Sequence, residues 1–162
     1  MKKNGKRWLI LLVILALIGG CLWYMRPVPV VDPDLEPERM QISLICNGGP
    51  WSMESRSLEL ERGDPVFEEL LAQMKAFRFR RPPTNLVLQA IPALGSLTNR
   101  THVLTEPEYQ VYVTLGTEES SGTRFCYDMG DWQDLNHRAA LPLLPVELDG
   151  RAWAESLWEQ AE

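Results

Sequence analysis

A chain of 162 residues with 45% hydrophobic content is long enough for one domain with its own core and too short for two comfortable ones. Its formal charge of −6 conceals a division: Lys2, Lys3, Lys6, Arg7 and Arg26 precede every acid, while residues 27–162 hold the other 11 basic residues against all 22 acids. So acidic a body repels nucleic acid and anionic headgroups, which excludes nucleic acid as an expected partner.

The first element is an apolar run, Trp8 to Met25, of 18 residues without a charge. As a helix it measures about 27 Å, enough for the hydrocarbon core of a bilayer. Basic residues before it and the near-absence of charge after it orient the N-terminus to the cytoplasm and the bulk of the chain outside. Residues 1–7 then form a short cytoplasmic tail and 8–25 the anchor. The order of basic start, apolar run, Gly19, Gly20 and Cys21 also resembles a bacterial lipoprotein signal, in which case Cys21 would be lipidated and become the N-terminus. Trp8 at one end and Trp23 and Tyr24 at the other instead suit the aromatic belts of an uncleaved span, and this is the preferred reading over either a lipoprotein or a conventional cleaved signal.

Residues 26–39 follow as an acidic, proline-rich stretch, "RPVPVVDPDLEPER", and predict an extended linker of polyproline II character. The domain, 40–162, opens with "MQISLIC", where Ile42, Leu44 and Cys46 alternate with Gln41, Ser43 and Ile45, and "SRSLELE" (55–61) alternates again after the turn chemistry of "NGGPW". Together they predict a hairpin. Asp64 before Pro65 is a capping pair, and Phe67, Leu70, Leu71, Met74 and Phe77 recur at helical spacing. "FRFRR" (77–81) reads as a short strand stopped by Pro82 and Pro83.

The stretch from Thr84 to Glu108 is apolar but broken by Pro92 and Gly95, and is expected to be irregular. "YQVYVTLG" (109–116) and "TRFCYDMG" (123–130) each alternate and predict a second hairpin. Asp149 caps a last helix carrying Trp153, Leu157 and Trp158 on one side. These elements imply an α+β domain: a mostly antiparallel sheet of about five or six strands packed against two helices, after one transmembrane helix.

Candidate chemistry is thin. Asp128, Asp131, Asp134 and His137 fall every third residue and could hold a divalent cation were the segment helical; without the ligand alternation of a calcium loop they read better as a solvated loop, and no metal or other cofactor is expected. Neither His102 nor His137 sits in a recognised catalytic motif. Arg78, Arg80 and Arg81 form a local basic cluster whose expected role is to pair with carboxylates, the alternative being contact with an anionic ligand or partner. Cys46 falls on the buried face of its strand and Cys126 on the outer face of its own, so no disulfide is expected between them. Leu86, Val87, Leu88, Ile91, Leu94 and Leu97 are apolar beyond the needs of a loop; they fold back as core or remain as a contact patch.

The layout of basic start, apolar anchor, proline-rich spacer and small domain with "DPVFEELLAQM" and "YQVYVTL" resembles uncharacterised membrane-tethered extracytoplasmic proteins of Gram-positive bacteria. That resemblance implies location and fold class and carries no site residue. The expected function is a membrane-anchored extracytoplasmic binding or interaction domain without catalysis, with a protein partner at the cell envelope. The alternative is a cell-envelope enzyme or metal-dependent hydrolase using the 128–137 acids.

Overall fold

The computed structural model describes residues 2–48, 53–90, 108–116, 121–128, 130–136 and 141–161. Helix α1 (Lys2–Tyr24) contains one stretch, Arg7–Tyr24, long and apolar enough to cross a membrane, and none of that stretch is buried inside the protein. Its apolar residues point in all directions: Leu9, Leu12, Leu17 and Leu22 are all exposed. A helix apolar all round is stable only inside something apolar, and the other described residues do not supply it.

The stretch after α1 is not the free linker its prolines suggest. Val28–Pro29 form strand β1, Val31 is fully buried, and Val30 and Leu35 pack against the core. Proline fixes an extended backbone that an edge strand tolerates, and the valines between the prolines supply burial that a polyproline spacer lacks.

Strands β2 (Arg39–Asn47) and β3 (Met53–Glu61) pair antiparallel over their whole length, from Arg39↔Glu61 to Asn47↔Met53. Met40, Ile42 and Leu44 are buried, as the alternation requires. Helix α2 (Pro65–Ala76) starts where Asp64 accepts the Val66 N–H at 2.8 Å, with Pro65 in its first turn, and buries Phe67, Leu70, Leu71 and Met74. It carries the chain from β3, at one edge of the sheet, to β4 (Arg78–Arg80), which pairs with β1 at the other edge. Helix α3 (Thr84–Ala90) follows Pro82 and Pro83, in place of the expected irregular course; Thr84–Ala90 contains neither proline nor glycine, and the breakers Pro92 and Gly95 lie beyond it.

Strands β5 (Glu108–Gly116) and β6 (Ser121–Asp128) form the second predicted hairpin, with a register shift between Thr114 and Gly116. Two further strands, β7 (Asp131–Asp134) and β8 (Leu141–Val146), complete the sheet, and helix α4 (Gly150–Gln160) closes the chain. The order is β1-β4-β8-β7-β6-β5-β2-β3, with every neighbouring pair antiparallel. The architecture is α+β, as expected. Among the described residues the sheet has eight strands, not five or six, and α3 is a helix beyond the anchor and the two expected.

β8 contains Pro142 and Pro145, which ordinarily argue against an interior strand. It tolerates them because it is interior only in sum: residues 141–143 pair with β7, and 144–146 pair with β4. Each half has one unpaired side. The Pro142 carbonyl is taken at 2.9 Å by Asn85 Nδ2 from α3, so a buried side chain supplies the hydrogen bond at the place β4 does not reach.

α2 and α4 contribute Phe67, Leu70, Met74, Trp153 and Leu157 to the same cluster as Ile42, Val113, Phe125 and Trp132 of the sheet. Trp132 is its centre, with the rings of Phe77, Phe79, Phe125, Tyr127 and Trp153 at 5.1 to 6.2 Å between centroids. α4 reaches this close because its first residue is Gly150; a Cβ there would stand 2.5 Å from Tyr127 Cε2 and 2.8 Å from Trp132 Nε1.

Candidate functional site

The acids that share a three-residue spacing do not all converge. A spacing of three gathers side chains on a helix, but within one strand it sends successive members to opposite faces. β6 and β7 form a hairpin in which Asp128 stands opposite Asp131, so these two share a face. Asp134 pairs with Phe125 and Leu141 instead, at the parity of the buried Trp132. Its Oδ1 accepts the Asn136 N–H at 2.9 Å and the Asn136 side-chain amide at 2.8 Å, which is turn chemistry. His137 lies outside the described residues, and among those described no group of three or more His, Cys, Asp or Glu side chains could hold a metal ion.

The cysteines are free, and Cys46 and Cys126 lie at opposite parities of the sheet, but the one expected on the outer face is the more buried of the two. Cys126 is buried, Cys46 is half-buried, and Cys21 is exposed on α1. Burial, reinforced by the charge of Asp128, pushes the Cys126 thiol up to about 12, so it is inert at neutral pH. Burial and then Glu54 also raise the Cys46 thiol, against a hydrogen bond with Tyr109 and the charge of Arg56. A nucleophile needs the opposite shift.

The apolar candidates divide. Leu86 and Val87 project from α3 with 53% and 51% of their surfaces exposed. The Leu88 side chain, Ile91, Leu94 and Leu97 lie outside the described residues. α3 is seated by Asn85, which is fully buried and points inward to β8 while its neighbours Leu86 and Val87 face out. An asparagine in an apolar run is the available signal for this anchor, and the apolar pattern alone passes over it.

The arginines depart further from expectation. On β4, Arg78 and Arg80 flank the buried Phe79 and are both exposed, as is Arg81. Arg78 caps α2, donating to the Lys75 carbonyl at 2.6 Å and the Phe77 carbonyl at 3.1 Å. No carboxylate meets Arg78, Arg80 or Arg81 among the described residues, although the chain carries 22 acids. Arg26 adds a fourth exposed guanidinium, whose carbon lies 4.7 Å from the ring centroid of Trp23 at the end of α1.

At the opposite edge, Arg56 of β3 lies 4.2 Å over the Trp158 ring and donates to the Trp158 carbonyl at 2.8 Å. With Tyr109 6.1 Å from the same ring, this fastens the end of α4 to the sheet. It is a structural contact. The arrangement as a whole presents an apolar helix, an exposed basic edge and an exposed patch on α3. Comparison with protein-family models, with curated proteins and with solved structures finds no match to this chain.

Proposed function

We propose that this chain is a membrane-anchored extracytoplasmic interaction domain that works without catalysis. The observation that carries the reading is α1: a stretch of membrane-spanning length and composition with none of it buried in the protein. Trp8 at one end of the run and Trp23 and Tyr24 at the other suit the interfacial belts of an uncleaved span over a lipoprotein. Lys2, Lys3, Lys6 and Arg7 on one side hold the N-terminus in the cytoplasm. The domain therefore stands outside, and its contact surface includes Leu86 and Val87 on α3. The partner is a protein of the cell envelope held in the same membrane, where tethering raises its effective concentration and lets a small patch suffice.

Protease added to intact cells or protoplasts digests residues 27–162 if this orientation is right; full protection until lysis refutes it. The paired substitution Leu86→Ser and Val87→Ser removes captured membrane partners while leaving the melting temperature unchanged, and an unaltered set of partners refutes the patch. A lipid adduct on Cys21 in the mature protein replaces the span with a lipoprotein.

A further inference from the structure

We infer that Arg26, Arg80 and Arg81 form a phosphate-binding edge that rests on the phospholipid headgroups of the membrane holding α1; the inference rests on that helix being an anchor. Only Met25, Arg26 and Pro27 separate the end of α1 at Tyr24 from β1 at Val28, so the sheet starts at most about 14 Å from the helix end. The headgroup layer takes up about 5–7 Å of that distance. Without a free spacer, the first strand stands at the membrane surface.

The strand pairing then selects the residues. β1 meets β4 as Val28↔Phe79 and Pro29↔Arg78. Antiparallel pairing therefore runs the start of β1, and Arg26 two residues before it, toward the end of β4 that carries Arg80 and Arg81. The strand spacing is about 4.8 Å, so β4 is hardly farther from the surface than β1. Arg78, at the other end of β4, is already engaged by the carbonyls of Lys75 and Phe77. Arg26, Arg80 and Arg81 are exposed, and none meets a carboxylate among the described residues.

The acidic balance of residues 27–162 does not oppose this contact. Exposed charges act over a Debye length, about 8 Å at physiological ionic strength, so the local sign at the edge governs the approach and distant acids are screened. Guanidinium forks match phosphate oxygens bidentately. Trp23 beside Arg26 adds an aromatic ring at headgroup level. Docking this edge also holds α3, two prolines after Arg81, near the membrane, where Leu86 and Val87 face a partner in the same bilayer.

The test is arginine footprinting of the full-length chain with phenylglyoxal, in nanodiscs of phosphatidylcholine alone and in nanodiscs containing phosphatidylglycerol. Arg26, Arg80 and Arg81 should react roughly fivefold more slowly in the anionic discs. The difference should vanish in 1 M salt, where the Debye length is about 3 Å. Arg78 and Arg151 serve as references whose rates stay the same. A chain that fails to enter the discs removes the anchor and this inference with it. A chain that enters but shows equal rates in both lipids overturns the headgroup contact alone. Protection found in native membranes and missing in anionic discs assigns the arginines to a protein partner and likewise overturns it.

Discussion

Gly150→Ala tests whether the seat of α4 is as tight as the geometry requires. In an unconstrained helix the substitution would stabilise, because glycine costs roughly 0.5–1 kcal/mol relative to alanine. Here the new methyl would lie 2.5 Å from Tyr127 Cε2 and 2.8 Å from both Tyr127 Cδ2 and Trp132 Nε1. Carbon atoms at van der Waals contact stand about 3.5–4.0 Å apart, so the helix or both rings must retreat by about 1 Å. The rings have little freedom to do so. The Tyr127 and Trp132 rings pack at 5.2 Å with a tilt of 52°, and Phe77, Phe79, Phe125 and Trp153 close around Trp132. Overpacking of this kind costs about 1–3 kcal/mol, which outweighs the helix-propensity gain. Urea denaturation of the full chain in detergent, followed by tryptophan fluorescence, should therefore show a net loss of about 1–2 kcal/mol. The Tyr127→Leu background removes the ring atoms, and in it Gly150→Ala should cost at least about 1 kcal/mol less. A neutral or stabilising Gly150→Ala in the parent chain, or an unchanged cost in the Tyr127→Leu background, would refute the close approach of α4 to the sheet.

Three further outcomes are expected. Val31→Ser should destabilise by about 1.5–3 kcal/mol because Val31 is fully buried; a neutral result would return residues 26–39 to the status of a linker. Asn85→Ala should cost about 1–3 kcal/mol by orphaning the Pro142 carbonyl, whereas Gln73→Ala on the more accessible side of α2 should stay within about 0.5 kcal/mol; equal effects would mean that α3 is not fastened to β8. The raised Cys126 thiol gives a pH dependence of known sign. The unfolded thiol ionises near 9.0 and the folded one near 12, so the contribution is complete below pH 9 and is lost as pH rises toward 12, by up to about 4 kcal/mol. Denaturation midpoints measured from pH 8 upward should fall less steeply for Cys126→Ser than for the parent chain, and parallel curves would contradict the burial of that thiol.

Local chemistry makes several elements legible from the chain itself. Asp64–Pro65 and Asp149 announce two helices because capping is decided by a side chain and the amides next to it. The alternations of Met40–Cys46 and Tyr109–Leu115 announce their strands because a buried face imposes a period of two. Helix α1 is legible too, since an uncharged run of this length and composition is long and apolar enough to cross a membrane. What pattern reading misses depends on partners remote in sequence. β1 is a strand because β4 lies beside it, and β8 holds two prolines because β4 and β7 each cover a different half. The three-residue spacing of Asp128, Asp131 and Asp134 points to a ligand set only on a helix, and the hairpin pairs the first two while sending Asp134 to the other face. Arg80 and Arg81 are ordinary strand-flanking charges beside Phe79 until the antiparallel β1–β4 pairing turns their end of the strand toward the start of β1. A register between residues fifty positions apart is settled by which apolar faces must share one core, and that is a property of the folded whole.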